Sequence, residues 1–263
     1  MLRHKWWIPL VLLGLSLACT VPIPTTEPLT ILDPPVEAFH TMGLDGAQEA
    51  VVRLRMLSDR LSVRPDSGAA LLNAWFRYNV AEWEPNLDQT TRGEITQVTV
   101  NQGLGSQLQL GKLDERYINE WNIGLARNVR MDLDIDLGSG IAQLDLGGLA
   151  LKACSLTTGG ADAVLNFAER NPEPLGRLRL TTGTGKFVAS GLGNANFDRL
   201  SVLGGTGTID LDFSGAWQRS AIADIRAGAG KMSLRVPSRV GVRVTLSSPL
   251  SSVDPVGFTQ RSD

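Results

Sequence analysis

Two residue types on which much catalysis and cross-linking depend are scarce in this chain. Its 263 residues include two histidines and two cysteines. His4 and His40 both precede the region assigned below to the folded domain, so catalytic triads and the common histidine-containing zinc sites are not expected there. Cys154 is the only cysteine after Cys19, which excludes a disulfide within the domain. We expect Cys154 to be a small buried hydrophobic residue.

An excess of charge of one sign is also missing. The chain has 25 basic and 27 acidic side chains, a formal net charge of −2. Nucleic-acid binding requires a basic stripe, so a nucleic-acid partner is not expected. The Gly103-Leu-Gly105 stretch and the other glycine pairs lack the strand, turn and helix context of a phosphate loop. No cofactor is therefore predicted.

The N-terminus has the pattern of a targeting segment. A basic stretch at residues 3–5 is followed by an apolar run at 6–17, which is shorter than the roughly 20 residues of a membrane helix. Ser-Leu-Ala-Cys, ending at Cys19, fits a bacterial lipoprotein cleavage box. We predict a signal peptide over residues 1–18 and lipid attachment at Cys19. The alternative is an ordinary secretory signal that is cut near Ala18.

Residues 19–42 are predicted to be a tether between the lipid and the domain. Five of these residues are prolines: Pro22, Pro24, Pro28, Pro34 and Pro35. Extended proline-rich chain of this length reaches up to about 60 Å at ~3.1 Å per residue. The expected location is extracytoplasmic, with the membrane contacted through the N-terminal lipid.

A repeat over residues 129–246 organises the rest of the chain. Five times, an alternating strand leads into a glycine corner and a second alternating strand follows. The corners begin at Gly138, Gly159, Gly183, Gly205 and Gly228, which gives steps of 21, 24, 22 and 23 residues. Repeats of this length, made of short strands, are typical of solenoids.

One face of each predicted strand is apolar at every second residue, as a half-buried strand requires. The first strands of the repeats contribute Leu133, Ile135, Leu137; Cys154, Leu156, Thr158; Leu178, Leu180, Thr182; Leu200, Val202, Gly204; and Ala223, Ile225, Ala227. We predict an all-β, single-domain parallel β-solenoid over residues 43–263, with about five clear repeats and degenerate N-terminal ones.

The first half of the domain has a weaker pattern. Residues 50–57, 61–64, 94–100 and 120–125 alternate like strands. Residues 69–80 are ambiguous, because Ala-Leu-Leu favours a helical turn while the aromatic residues favour a strand. The tail after Leu246 is expected to cover the last repeat, since an open strand edge invites pairing with another chain.

Several of these stretches resemble the toast-rack family of bacterial envelope proteins. The resemblance is carried by residues 119–125 (NEWNIGL), 129–140 (VRMDLDIDLGSG), 144–149 (LDLGGL), 206–215 (TGTIDLDFSG) and 228–237 (GAGKMSLRVP). The family is similar to adhesin-type β-solenoids and to the C-terminal domain of a membrane regulator of cell-envelope stress. The resemblance implies a β-helical fold and a surface location, and it brings no catalytic residues.

Asp132, Asp134 and Asp136 form the sharpest polar cluster. Spaced by two, they point outward from one strand at intervals of about 7 Å and could bind Ca²⁺ with help from a neighbouring strand. The interpretation that we favour over a calcium site is a solvated strand face. Solenoid lyases use such acids together with a basic group, but the aligned residues of the next repeat are Ala153, Ser155 and Thr157.

Aromatic residues concentrate before the repeats, and Trp217 follows the fourth one. The interpretation that we favour is that these side chains pack at the N-terminal end of the domain. The alternative is that exposed rings stack on sugar rings, with Trp83 and Trp217 as the candidate contacts.

Three functions remain open from the sequence. The leading one is a non-enzymatic, lipid-anchored surface scaffold for adhesion or envelope interaction, whose partner is an envelope protein or a glycan. The second is a sensory or regulatory domain of a cell-envelope stress system. The third is calcium-assisted action on polysaccharide through the aspartate face.

Overall fold

The computed structural model describes residues 29–103, 116–245, 252 and 254–259. Within these residues the protein is all-β, as predicted, with two short 3-10 helices (Ala81–Trp83 and Leu192–Asn194) and no α-helix. The strands, numbered along the chain, are β1 (Ile31–Met42), β2 (Glu49–Met56), β3 (Arg60–Asp66), β4 (Leu72–Val80), β5 (Asn86–Arg92), β6 (Ile95–Asn101), β7 (Asn119–Ala126), β8 (Arg130–Asp145), β9 (Leu151–Asn166), β10 (Leu175–Thr182), β11 (Lys186–Ser190), β12 (Phe197–Gly204), β13 (Gly207–Asp212), β14 (Ile222–Ala227) and β15 (Gly230–Arg235).

The strands form one open, mixed sheet with two halves. β8 and β9 are long enough to run through a glycine corner and take part in both halves. The first half has the order β5-β6-β2-β8-β9-β10-β12-β14, and the second has the order β1-β4-β7-β3-β8-β9-β11-β13-β15. Alternate residues of both halves are buried, so the core lies between them.

The parallel pairing follows the predicted repeat. Leu133 is opposite Cys154, Cys154 is opposite Leu178, and Leu178 is opposite Leu200. The predicted inward residues of the first four repeats are buried. Cys154 is one of them, as expected, and burial raises the pKa of its thiol to about 12.

The corner glycines stack on one another. A Cβ placed on Gly159 would lie 2.4 Å from the carbonyl oxygen of Gly138, and one on Gly183 would lie 2.2 Å from that of Gly159. Real Cβ atoms do not approach backbone oxygen so closely. Glycine is needed at these corners because the backbones of neighbouring repeats touch there.

The sheet is not purely parallel, which corrects the prediction of a parallel fold throughout. β4 pairs antiparallel with β7, β1 with β4, and β5 with β6. β5 and β6 form a hairpin closed at Gly93, where φ is 59°. The ambiguous residues 69–80 contain β4, so the aromatic side chains decided the local structure.

The predicted tether is also shorter than expected. Residues 31–42, assigned to it from their prolines, form β1, and Phe39 of β1 lies opposite Trp75 of β4. The pairing is interrupted between Ile31 and Val36, where Pro34 and Pro35 lie. Proline lacks the backbone N–H of the ladder, and it is tolerated here because β1 is an edge strand.

The two ends of the sheet differ in burial. Near β1 and β4, Phe76 and Trp121 are fully buried, with ring centroids 5.3 Å apart in an edge-to-face contact. At β14 and β15, Ile222 is 59% exposed and Leu234 is 38% exposed. The chain after β15 is exposed over residues 241–245 and forms no strand there. Residues 246–251, on which the predicted cover would begin, lie outside the described residues.

Candidate binding groove

The predicted signal peptide and lipid attachment site lie outside the described residues. Because Cys19 is not among these residues, lipidation stays a prediction. Within the described ranges, no helix has the length and apolarity needed to cross a membrane.

The three aspartates point outward from β8, as predicted. Asp132 and Asp134 are half-buried, and Asp136 is exposed. On one side their backbone partners are Ala153, Ser155 and Thr157 of β9, as the aligned repeats predicted. On the other side lies β2, whose arginines the repeat alignment did not place.

Arginine occupies the space beside the aspartates. The Arg55 guanidinium pairs with the Asp134 carboxylate at 2.5 Å and also donates to the Asp134 backbone oxygen at 3.2 Å. In the part of the chain that the structure describes, no three acids, histidines or cysteines converge to hold a metal ion. The calcium site therefore rests on the sequence spacing alone.

The two tryptophans named as candidate surface contacts do not stand free. Trp83 is 1% exposed and packs 5.8 Å from the Tyr117 ring, so it is the favoured packing residue and not the alternative surface contact. Trp217 is half-buried between Phe197 and Phe213, and its indole N–H donates to the Phe213 carbonyl oxygen at 2.8 Å. Both side chains serve packing.

A different pair of aromatic residues is accessible. Phe39 of β1 is 75% exposed, and its ring centroid lies 6.5 Å from that of half-buried Trp75. The two rings are tilted by 50° and lie on the outer face of the sheet. They form one wall of an open groove of about 600 Å³.

Hydrogen bonds fix the polar floor of this groove. The Asn73 amide donates to an Asp66 carboxylate oxygen at 2.6 Å and accepts from the Thr41 hydroxyl at 3.0 Å. The other Asp66 oxygen accepts from the Gly68 backbone N–H at 3.1 Å. These bonds hold the pKa of Asp66 below its ordinary value, with the Asn73 contact as the main cause. Asp66 is thus a fixed carboxylate at working pH.

Two side chains in the groove have polar groups that form no hydrogen bond in the described part of the chain, although the Arg64 charge also helps to lower the pKa of Asp66. Arg64 and Asn122 are exposed and form no side-chain hydrogen bond within the described residues. Asn122 lies directly opposite Trp75 on the neighbouring strand. Arg127, at the groove's other end, is held by Glu169 at 2.7 Å. Free donors and acceptors therefore lie next to the aromatic wall.

His40 belongs to the folded domain and lines the groove. His40 was assigned to the tether, but it lies in β1, where its ring centroid is 5.7 Å from that of Phe76. No side chain of the described residues hydrogen-bonds to His40, so it is not paired with an acid or a nucleophile there. The groove offers positioned polar groups and stacking surfaces, and it does not assemble a base with a nucleophile.

Sequence reasoning missed the groove because its parts are distant along the chain. Phe39 was hidden in the proline-rich segment, and the aromatic cluster of β4 alternates between the two faces of the sheet. The available signal was the spacing by two of Asn73, Trp75 and Arg77, which places their side chains on one face.

Comparison with known proteins identifies a family with this fold. A family model described as the N-terminal domain of toast_rack, DUF2154, matches residues 33–186, more than half of the chain. No curated protein matches the sequence.

Solved structures share the fold at low identity. A protein of Clostridium sporogenes described as a candidate cell adhesion protein is 18% identical, with a TM-score of 0.61 over 76% of this chain and 99% of its own. Candidate adhesins of Parabacteroides distasonis and Parabacteroides merdae are 9% and 10% identical, with TM-scores of 0.25 and 0.27 over 75% and 76% of this chain and 96% and 95% of their own. The first likeness supports the fold, and the other two are too distant to carry an argument.

Proposed function

The chain belongs to the toast-rack family, and from that premise we propose that it is a non-enzymatic adhesion-type scaffold on the bacterial surface. The scaffold is anchored by lipid at Cys19 and binds a glycan of the cell envelope in the groove between β1 and β3. The observation that carries this proposal is the groove itself, with its accessible aromatic pair beside fixed and free polar groups.

The proposed scaffold is a parallel β-solenoid made of β2, β3 and β6 to β15, to which the antiparallel strands β1, β4 and β5 are added. Its support is the succession of parallel pairs, the corner spacing of 21 to 24 residues and the contact of each corner glycine with the one before it. Stacked repeats of this kind make a rigid body with long exposed faces. Such a body suits the display of a binding surface away from an anchor.

A sugar ring fits the chemistry of the aromatic wall. The apolar C–H face of a hexose can lie on the Trp75 ring while Phe39 contacts its edge, and an aromatic ring offers a large flat apolar surface at little conformational cost. A ring that is 75% exposed, as Phe39 is, gains contact area when a ligand covers it.

The polar groups match hydroxyl groups. Asn122 supplies an amide donor and acceptor next to Trp75, and Arg64 supplies a guanidinium that also suits an acidic sugar. A protein partner of standard size would need roughly 800 Å² of buried surface on each side. The groove has the volume of a small-ligand site, which lies between about 300 and 1,000 Å³.

The test is direct binding of envelope polysaccharides to the purified full chain. Affinity electrophoresis through gels that contain acidic or neutral polysaccharide gives a dissociation constant for each. We expect Trp75→Ala to weaken binding at least tenfold without lowering the melting temperature by more than a few degrees, because Trp75 points away from the core.

A matched control lies on the same outer face. Ile141 is 44% exposed and lies outside the groove, so Ile141→Ala removes exposed apolar area without touching the site. Equal loss of binding in both variants, or no retardation by any polysaccharide, would overturn the glycan assignment.

The anchor has its own test. Cys19→Ser should move the protein from the membrane fraction to the soluble fraction of the producing cell. Unchanged membrane association would exclude lipid at Cys19 as the anchor, and it would leave the groove assignment intact.

A further inference from the structure

The last two strands leave one end of the sheet open. β14 pairs with β12 and β15 pairs with β13, and neither has a second partner among the described residues. Their unpaired backbone N–H and C=O groups form a template for another strand. The inward residues Ala223 and Ala227 are exposed there, whereas the equivalent residues of the preceding repeat are buried.

The opposite end is protected against the same pairing. β1 is interrupted at Pro34 and Pro35, which cannot donate to a neighbouring strand. The outward edge of β5 carries polar and charged side chains along its length. A head-to-tail contact would have to join the open end to this protected one, so a contact between two open ends is favoured.

The sequence of β14 is complementary to itself in an antiparallel arrangement. Asp224 and Arg226 lie on the outer face, one on each side of Ile225, and pair within the chain at 2.9 Å. If Ile225 of two copies meet at a two-fold axis, Asp224 of each copy lies opposite Arg226 of the other. Opposite charges placed directly across from each other stabilise a strand pair, and like charges destabilise it.

We propose that two copies of this chain associate end to end through antiparallel pairing of β14 with β14 about a two-fold axis at Ile225. The contact is isologous and therefore closes as a dimer without growing into a fibre. It places the two β1 strands at opposite ends of the dimer, since β1 lies at the far end of each sheet.

The charge pattern supplies a test in solution with the full chain. Sedimentation equilibrium of the parent chain should show a monomer–dimer equilibrium. Asp224→Arg places arginine opposite arginine twice, and we expect it to weaken the dimer at least tenfold. The exchanged pair, Asp224→Arg with Arg226→Asp, restores opposite charges and should restore the parent dissociation constant.

Disulfide trapping reports the register. In a Cys19→Ser background the remaining cysteine, Cys154, is buried, so an introduced thiol reacts alone. Antiparallel partners lie about 4.5–5.5 Å apart at Cα, within the range of a disulfide. Ile225→Cys should give a cross-linked dimer on mild oxidation. Ile222→Cys is the control, because residue 222 is more exposed but lies opposite Gly228 in this register.

Three results would overturn the proposal. The first is a monomer at all concentrations up to about 100 μM, and the second is an exchanged-charge variant that dimerises as weakly as the single variant. The third is a dimer that forms only after deletion of residues 246–263, which would assign the open edge to the chain's own tail. Glycan binding at the groove is independent of all three, so the two proposals fail separately.

Discussion

The two ends of the sheet solve the problem of an exposed strand edge differently. At the N-terminal end, antiparallel strands close the stack, proline interrupts the outermost strand, and Phe76 and Trp121 fill the space beneath. At the C-terminal end the last strands keep the parallel pairing and leave apolar residues partly exposed. Where the strand pairing changes to antiparallel, large aromatic side chains can fill and bury the end of the core. Where the parallel pairing continues to the last strand, the backbone groups at its outer edge stay available to another strand.

The largest expected loss of stability comes from removing a buried aromatic side chain at the N-terminal end of the sheet. Trp121 is 1% exposed, contacts Phe76, and donates its indole N–H to Asn119 at 3.0 Å. Trp121→Ala should lower the free energy of unfolding by about 3–5 kcal/mol, as for other buried aromatic residues. Urea denaturation of the full chain measures this loss.

The matched variant at the open end is Leu234→Ala. Because Leu234 is 38% exposed, we expect its loss to cost under about 1 kcal/mol. Equal destabilisation by the two variants would mean that the two ends of the sheet are buried to the same extent.

Stability should also fall when a side chain is added where the backbones of two middle repeats touch. The Cβ of Gly183→Ala would lie 2.2 Å from the Gly159 carbonyl oxygen, so the stack must open. We expect a loss of about 1–3 kcal/mol, which is the size of an overpacking effect. Gly241→Ala is the control, since a Cβ at Gly241 meets nothing within 4 Å and should change the melting temperature little.

Acid should weaken the closed end through Asp66. Its pKa is lowered in the fold by Asn73 and Gly68, so the folded state prefers the ionised form. The resulting stability is present above the unfolded pKa, near 3.8, and is lost as pH falls through the lower folded value. Thermal melts between pH 6 and about pH 2 should show a smaller acid-dependent decrease for Asp66→Asn than for the parent chain. An unchanged decrease would assign the acid sensitivity to other carboxylates.

The smallest expected effect concerns calcium at the aspartate face. Arg55 already pairs with Asp134, so millimolar Ca²⁺ should leave the melting temperature unchanged. A rise that disappears in Asp134→Asn would reinstate the calcium site, because a ligand of the native state raises its stability by mass action.

The repeats were readable because local rules and the fold agree there. Leu133 and Ile135 alternate with aspartates, and the glycine corners recur at a nearly constant distance, so period and burial predict the same strands. The alignment of repeats even placed Ala153, Ser155 and Thr157 correctly beside the aspartates. It could not place Arg55 there, because β2 precedes β8 by about 80 residues and belongs to no clear repeat.

The errors and the choices left open lie where a local signal competes with a distant partner. Prolines at 34 and 35 are typical of a tether, but β4 supplies a strand to pair with, and the rest of the segment becomes β1. Trp83 follows β4 in a short 3-10 helix, and no periodic pattern indicates which way its side chain points. Its burial depends on neighbours such as Tyr117, which lies far along the chain.

By itself the sequence determined the all-β class, the parallel repeats, their corners and the residues that face the core, since each depends on spacing within a few residues. The tertiary structure alone decided the antiparallel end, the arginine beside the aspartates and the groove at Phe39 and Trp75. These features join segments that lie tens of residues apart, and pairing between such segments depends on which strand edges are free when the sheet assembles.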